Sequence, residues 1–134
     1  MTTPIFPPAM HEALAACYPH APAKLTHGLL GHPLLTLDAL ADLSARLPAD
    51  SIEYNPGALP IGIAPDKVPK AAISVQQAIR EVDTAGCWVV LKRIEQDPAY
   101  AQLLHDLLDE LAAEVQPRTG PMLQLEGFVF ISQK

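Results

Sequence analysis

Leucines recur every three or four positions between residues 37 and 47, and this spacing predicts an amphipathic helix. Thr36 is a suitable N-cap for that helix, and Pro48 ends the pattern. A second helical pattern starts at Ser74, which can cap the first turn, and ends at Gly86, which can adopt the left-handed conformation that closes a helix. The chain therefore contains at least two helices with well-marked ends.

The longest helical pattern covers Pro98–Val115. Asp97 supplies an N-cap and is followed by proline at the first helical position, a favoured arrangement. Leucines line one face, and Leu107 lies at the centre of that face, so we expect Leu107→Ala to cost about 2 to 5 kcal/mol through lost burial and a residual cavity. Pro117 and Gly120 are predicted to break the helix.

Acidic residues follow the other face of this helix at intervals of four, at Asp106, Glu110 and Glu114. Side chains with this spacing lie above one another, and like charges repel by a few tenths of a kcal/mol per pair. No second set of ligands in the sequence pairs with them. We expect a solvated face opposite the leucines, not a metal site.

Residues 51–54 and the apolar run at residues 88–91 predict two strands. The stretch from residue 55 to Lys70 is rich in proline and has no regular period, so we expect a long ordered loop there. The fold class that follows is α+β, with helices packed on a small mixed sheet over residues 34–134. Residues 1–33 precede this domain as an arm that is mostly extended or looped.

The last predicted strand, Gly127–Ser132, is apolar on both faces. Phe128 and Phe130 alternate with Val129 and Ile131, as in strands covered by a layer on each side. We expect this strand to be buried on both faces, and part of its sheet to be missing or supplied by another chain.

The arm contains a short helical pattern around residues 10–16 and four potential zinc ligands. Their spacing matches no zinc finger or ribbon, so they are weak candidates: Cys17, His20, His27 and His32. Better candidates for a pocket or an interface lie at the ends of the predicted strands and at their aromatic positions, where side chains can reach a ligand or partner. These candidates are Glu53, Tyr54, Asn55, Trp88, Lys92, Phe128 and Phe130.

Composition narrows the functional class. The net charge is −6 and no basic cluster exceeds Lys92-Arg93, so we expect no nucleic-acid partner. No apolar run approaches the ~20 residues of a membrane span, and the N-terminus does not resemble a signal peptide. Cys17 and Cys87 lie far apart, which favours reduced thiols in the cytoplasm. Glycine-rich phosphate loops, nucleophile elbows and HExxH motifs are absent from the sequence, so no catalytic residue and no cofactor is predicted.

Five runs of the sequence resemble the N-terminal part of bacterial cupin-like proteins of the jumonji (JmjC-like) type. They are His32–Leu35, Ser51–Asn55, Leu59–Gly62, Trp88–Tyr100 and Glu126–Ser132. The resemblance implies a double-stranded β-helix whose metal is held by a His-x-Asp or His-x-Glu pair and a distant histidine. None of the five histidines here begins such a pair, so iron and 2-oxoglutarate chemistry is not assigned to any residue.

Three functions remain open at this stage. The first is the scaffold and oligomerisation part of a cupin-like protein, truncated before the metal-binding motif and not catalytic alone. The second is a self-sufficient small module that binds an apolar ligand or a partner peptide. The third is part of an Fe(II)/2-oxoglutarate-type oxygenase completed by sequence beyond residue 134. We expect a homodimer, and the sequence does not identify a small-molecule ligand.

Overall fold

The computed structural model describes residues 4–56 and 73–133, and within them it confirms the α+β class. The helices are α1 (Pro8–Cys17), α2 (Leu37–Arg46), α3 (Val75–Arg80), α4 (Val82–Ala85) and α5 (Pro98–Thr119). The strands are β1 (Ile52–Pro56), β2 (Cys87–Leu91) and β3 (Val129–Ile131). Nearly all of the loop predicted up to Lys70 lies outside the described residues.

The predicted caps of α2 and α3 are present. Thr36 Oγ1 accepts a hydrogen bond from the Ala39 amide at 3.1 Å, and Ser74 Oγ accepts one from the Gln77 amide at 3.2 Å. The single helix expected from Ser74 to Gly86 is wrong in one respect, because Glu81 (φ −110°, ψ 30°) leaves helical geometry and separates α3 from α4. The Glu81 carbonyl accepts hydrogen bonds from the amides of Thr84 and Ala85, and these bonds form the turn of α4.

Helix α5 begins as predicted and continues further. Asp97 Oδ1 accepts a hydrogen bond from the Ala99 amide at 3.1 Å, with Pro98 at the first helical position. The predicted break at Pro117 is wrong, since the helix runs through it to Thr119. Proline has a helix-compatible φ and removes one hydrogen bond, the one to the carbonyl four residues earlier, and only Arg118 and Thr119 follow it in the helix. Gly120 ends the helix with φ 84°.

The strands form one antiparallel sheet in the order β1-β2-β3, so it is not mixed within the described residues. Val89 lies opposite Tyr54 on one side and Ile131 on the other. Helices α2 and α3 pack on the sheet face that carries Val89, which we call the inner face. Their contact with β2 forms the main core. The side chains with no exposed surface at its centre include Leu43, Ile79, Val89 and Leu91.

The leucine face of α5 lies largely outside that core. Tyr100 is the one α5 residue that is fully buried, at 1% exposure, and its hydroxyl donates to the Leu34 carbonyl at 2.6 Å. Leu107, at the centre of the leucine face, is only half-buried. The physical reason is that α5 packs on the turn Ile94–Gln96 and on α1, which cover its apolar face incompletely.

The two-sided burial predicted for the last strand is also wrong. Val129 and Ile131 face the core, whereas Phe130 is 73% exposed and Phe128 is 50% exposed. Among the described residues β3 is an edge strand, and α2 and α3 cover the sheet face opposite Phe130. Within residues 4–56 and 73–133 no helix combines the length and apolar character needed to cross a membrane.

Candidate interaction surface

The sheet face turned away from the core carries most of the residues predicted to line a pocket or interface. We call this surface the outer face and define it by Glu53, Trp88, Val90, Lys92 and Phe130. Strand residues alternate between faces, so these positions share one side. The register places Val90 directly opposite Glu53 on β1 and Phe130 on β3. The fold thus brings predicted site residues from all three strands onto one face of the sheet.

The outer face has a charged end and an apolar end. Lys92 Nζ lies 2.9 Å from Glu53 Oε2, and both side chains are partly exposed, so this ion pair contributes at most about 1 kcal/mol. Val90 is buried and Trp88 is half-buried, whereas Phe130 extends into solvent. An exposed aromatic ring beside a half-buried indole is the composition typical of interface centres.

The other predicted residues are Tyr54, Asn55 and Phe128, and of these Phe128 lies on the same side as Phe130. Tyr54 is on the inner face and packs against the core, so it does not line the outer face. Asn55 pairs with Trp88 through the backbone, and its side chain lies outside the described residues. Phe128 precedes Phe130 by two positions and is half exposed. Sequence reasoning missed Val90, although it lies within a predicted strand between two predicted site residues.

The backbone of β3 offers hydrogen-bonding groups at the sheet edge. The Lys92 amide donates to the Ser51 carbonyl at 2.7 Å, which makes these opposed residues a hydrogen-bonded pair. Such pairs alternate along antiparallel strands, so Val90 bonds toward β1 and its neighbours Val89 and Leu91 bond toward β3. The N–H and C=O of Phe130 therefore point away from β2. Within the described part of the chain no strand pairs with that edge.

The candidate zinc ligands do not converge. His27 and His32 each use Nδ1 to accept a local backbone amide, from Leu29 and Leu34 respectively, both at 3.1 Å. Cys17 ends α1, and His20 donates its backbone amide to the Cys17 carbonyl. Across residues 4–56 and 73–133 no three His, Cys, Asp or Glu side chains are placed to hold a metal ion.

The acidic face of α5 anchors the arm, so the expectation of a fully solvated face is wrong for two of its three residues. Glu110 accepts the Ile5 amide at Oε2 (2.8 Å) and the Phe6 amide at Oε1 (2.9 Å). Glu114 Oε2 lies 3.0 Å from His11 Nδ1. Only Asp106 is exposed as predicted. Backbone amides from a distant segment carry no sequence signal that could have revealed these contacts.

A cavity of about 410 Å³ lies between the arm and α5. Its lining combines apolar arm residues with His32 and acidic α5 side chains, including Asp106 and Asp109. One wall carboxylate, Glu110, is already engaged by the two arm amides. The cavity therefore follows from how the arm is held, and no unpaired buried polar side chain points into it among the described residues.

A second polar cluster secures the start of α5. Arg46 Nε donates to Asp97 Oδ2 at 2.7 Å. Burial raises the pKa of Asp97, but the hydrogen bonds from Arg46 and from the Ala99 amide outweigh it and hold this pKa below its ordinary value. Burial raises the pKa of the Tyr100 hydroxyl, because the phenolate is poorly solvated in the core. These hydrogen bonds hold the N-terminus of α5 against α2 and the segment that precedes it.

Comparison with known proteins gives no relative: no family model, no curated protein and no solved structure matches the chain. The outer face and the β3 edge are therefore interpreted from their own geometry.

Proposed function

We propose that this chain is a scaffold and self-association module that joins a second copy of itself through the outer face and the edge of β3. One observation carries the proposal: Phe130 is 73% exposed on β3, an edge strand within the described residues, and its own N–H and C=O point away from β2. An unpaired edge is a template for adding a strand, and exposed aromatic side chains are enriched at interface centres.

A second copy is the partner that this edge fits most simply. Two identical edges can pair antiparallel about a two-fold axis, and two-fold dimers are the commonest assemblies of identical chains. Both copies would contribute the same aromatic residue at the centre of the contact, where burial has the largest effect. The surface then serves as an interface without any reactive group.

The resemblance noted in the sequence leads to a more specific proposal. The module would be the N-terminal, scaffolding part of a bacterial cupin-like protein of the jumonji type, in the cytoplasm, where Cys17 and Cys87 stay reduced. Both thiols are free, which supports that location. Oxygenase activity with iron and 2-oxoglutarate would then depend on residues outside this sequence, since no described residue set here fits that metal.

The same surface supports a second candidate function. Phe128 and Phe130 are both at least half exposed, and adjacent aromatic rings can bind an apolar ligand or an extended peptide. A small binding module of this kind would use the outer face as a monomer. Its mass in solution separates it from the self-association module.

The test compares three proteins by light scattering over a range of micromolar concentrations. Wild type is expected to be a dimer, and Phe130→Asp is expected to be a monomer because the interface would bury an unpaired carboxylate. Leu30→Asp is the matched control, since Leu30 is almost fully exposed on the arm, away from the sheet. It should remain a dimer.

A monomeric wild type at every concentration would contradict self-association and favour the small binding module. Equal loss of the dimer in Phe130→Asp and Leu30→Asp would place the contact elsewhere or make it nonspecific. At concentrations low enough for all three proteins to be monomers, their unfolding midpoints should agree closely, because both substituted side chains are exposed.

A further inference from the structure

We infer that two copies pair β3 with β3 in one defined antiparallel register, with Phe130 directly opposite Phe130 of the partner subunit. The inference rests on the proposed self-association, and it adds how the two chains align. It joins two three-stranded sheets into one continuous six-stranded sheet. The direction of the backbone groups at the edge determines which residues can pair.

Only alternate residues of β3 present their backbone groups to the edge. Phe130 does so, because Val90 opposite it bonds toward β1, and the alternation extends to Phe128 and Ser132. The neighbours Val129 and Ile131 bond toward β2 instead. A second copy therefore forms its hydrogen bonds at positions 128, 130 and 132.

The usable stretch has a fixed beginning. The Gly127 amide donates to Glu95 Oε1 at 2.8 Å, and its carbonyl accepts the Ile94 amide at 3.0 Å. The chain is thus held toward the Ile94–Gln96 turn at this point, and the free edge starts at Phe128. In the register centred on Phe130, every residue from Phe128 to Ser132 whose backbone groups face the edge forms a hydrogen-bonded pair with the second copy. Shifting the register by two positions toward Phe128 loses one of the three hydrogen-bonded pairs.

Side chains agree with the same register. Phe130 meets the equivalent ring on the outer face, and cross-strand aromatic pairs are stabilising. Val129 faces Ile131 of the partner subunit on the inner side, which continues the core side of the sheet.

Disulfide trapping under mild oxidation tests the register. All variants carry Cys17→Ser, and Cys87 is retained because it is buried in the core. Phe130→Cys alone should give a covalent dimer as the major product, because directly opposed residues lie about 5.5 Å apart, within disulfide range. Phe128→Cys alone should not, since its two copies would be four positions apart, roughly 13 Å.

A mixture of two other cysteine variants tests the same register while Phe130 remains unchanged. Phe128→Cys and Ser132→Cys proteins, one of them carrying a tag, should form a mixed disulfide while neither forms a disulfide with itself. Trapping of Phe128→Cys with itself would show a different register and overturn the inference. A wild-type dimer in which none of these combinations is trapped would overturn it too, while leaving self-association intact. A wild-type monomer would instead refute the proposed function itself.

Discussion

Both faces of this sheet carry apolar side chains, but the surroundings of those side chains differ. On the inner face, Val89 and Leu91 have no exposed surface, because α2 and α3 cover them. On the outer face, Phe130 is largely exposed, although it alternates with buried residues along the same strand. The difference shows that a run of apolar residues specifies a strand, whereas burial depends on whether a second layer is present. An exposed aromatic side chain such as Phe130 marks a surface where a partner is expected.

The largest loss of stability should come from a substitution in the core on the inner face of the sheet. Leu43→Ala removes a side chain with no exposed surface and should lower the free energy of unfolding by about 2 to 5 kcal/mol through lost burial and a residual cavity. Leu107→Ala is the matched control, because it deletes the same atoms from a half-buried site on α5. Its cost should be clearly smaller in urea denaturation. Equal costs would mean that α5 is covered as completely as the core.

The next largest loss of stability should come from a substitution at the N-terminus of α5. Asp97→Ala removes the N-cap and the partner of Arg46, and should lower stability by about 1 to 2 kcal/mol. Asp50→Ala is the control, since that carboxylate is mostly exposed and lies 3.8 Å from Arg93. It should change stability by less than about 0.5 kcal/mol. The Asp97 contribution should disappear as pH falls through the lowered pKa, because the carboxyl is then protonated in the folded state.

Tyr100 should make the core sensitive to alkaline pH. Its pKa is raised in the folded state, so the folded protein holds a proton that the unfolded chain releases above about pH 10. Stability from this group is complete below the unfolded pKa and declines as pH rises above it. Urea midpoints measured between neutral pH and pH 11 should fall more steeply for wild type than for Tyr100→Phe. Parallel curves would show that the hydroxyl is not buried.

The smallest effect on the isolated chain should come from the outer face. Phe130→Ala should change monomer stability by less than about 0.5 kcal/mol, because most of the ring is already in solvent. The measurement is made at concentrations where the chain is monomeric. A loss as large as that of Leu43→Ala would show that the ring is covered within one chain, and would remove the contrast between the two faces.

Local signals predicted most of the secondary structure. Thr36, Ser74 and Asp97 each cap the helix that follows, and Gly86 ends α4 in the left-handed conformation. These features depend on residues near in sequence, so spacing alone identifies them. Fold class followed from the alternation of helix and strand patterns. The candidate site was found in part, since four of its predicted residues share the outer face.

The errors arose where distant segments decide the outcome. Glu110 resembles a solvated carboxylate until the amides of Ile5 and Phe6 bind it. Leu107 has the pattern of a core residue, but nothing in its own segment shows how much of α5 is covered. Phe130 was expected to be buried for the same reason. Periodicity identifies the face on which a side chain lies, and the topology determines what covers that face.

The central claim is that the open edge of β3 is the association surface, and amide exchange at Phe130 tests it most directly. In a monomer the Phe130 N–H points to solvent, so its hydrogen should exchange rapidly. Pairing with a second copy would protect it, and the account predicts slowing as concentration rises into the range where the dimer forms. Rapid exchange in a demonstrated dimer, or slow exchange in a demonstrated monomer, would contradict the account.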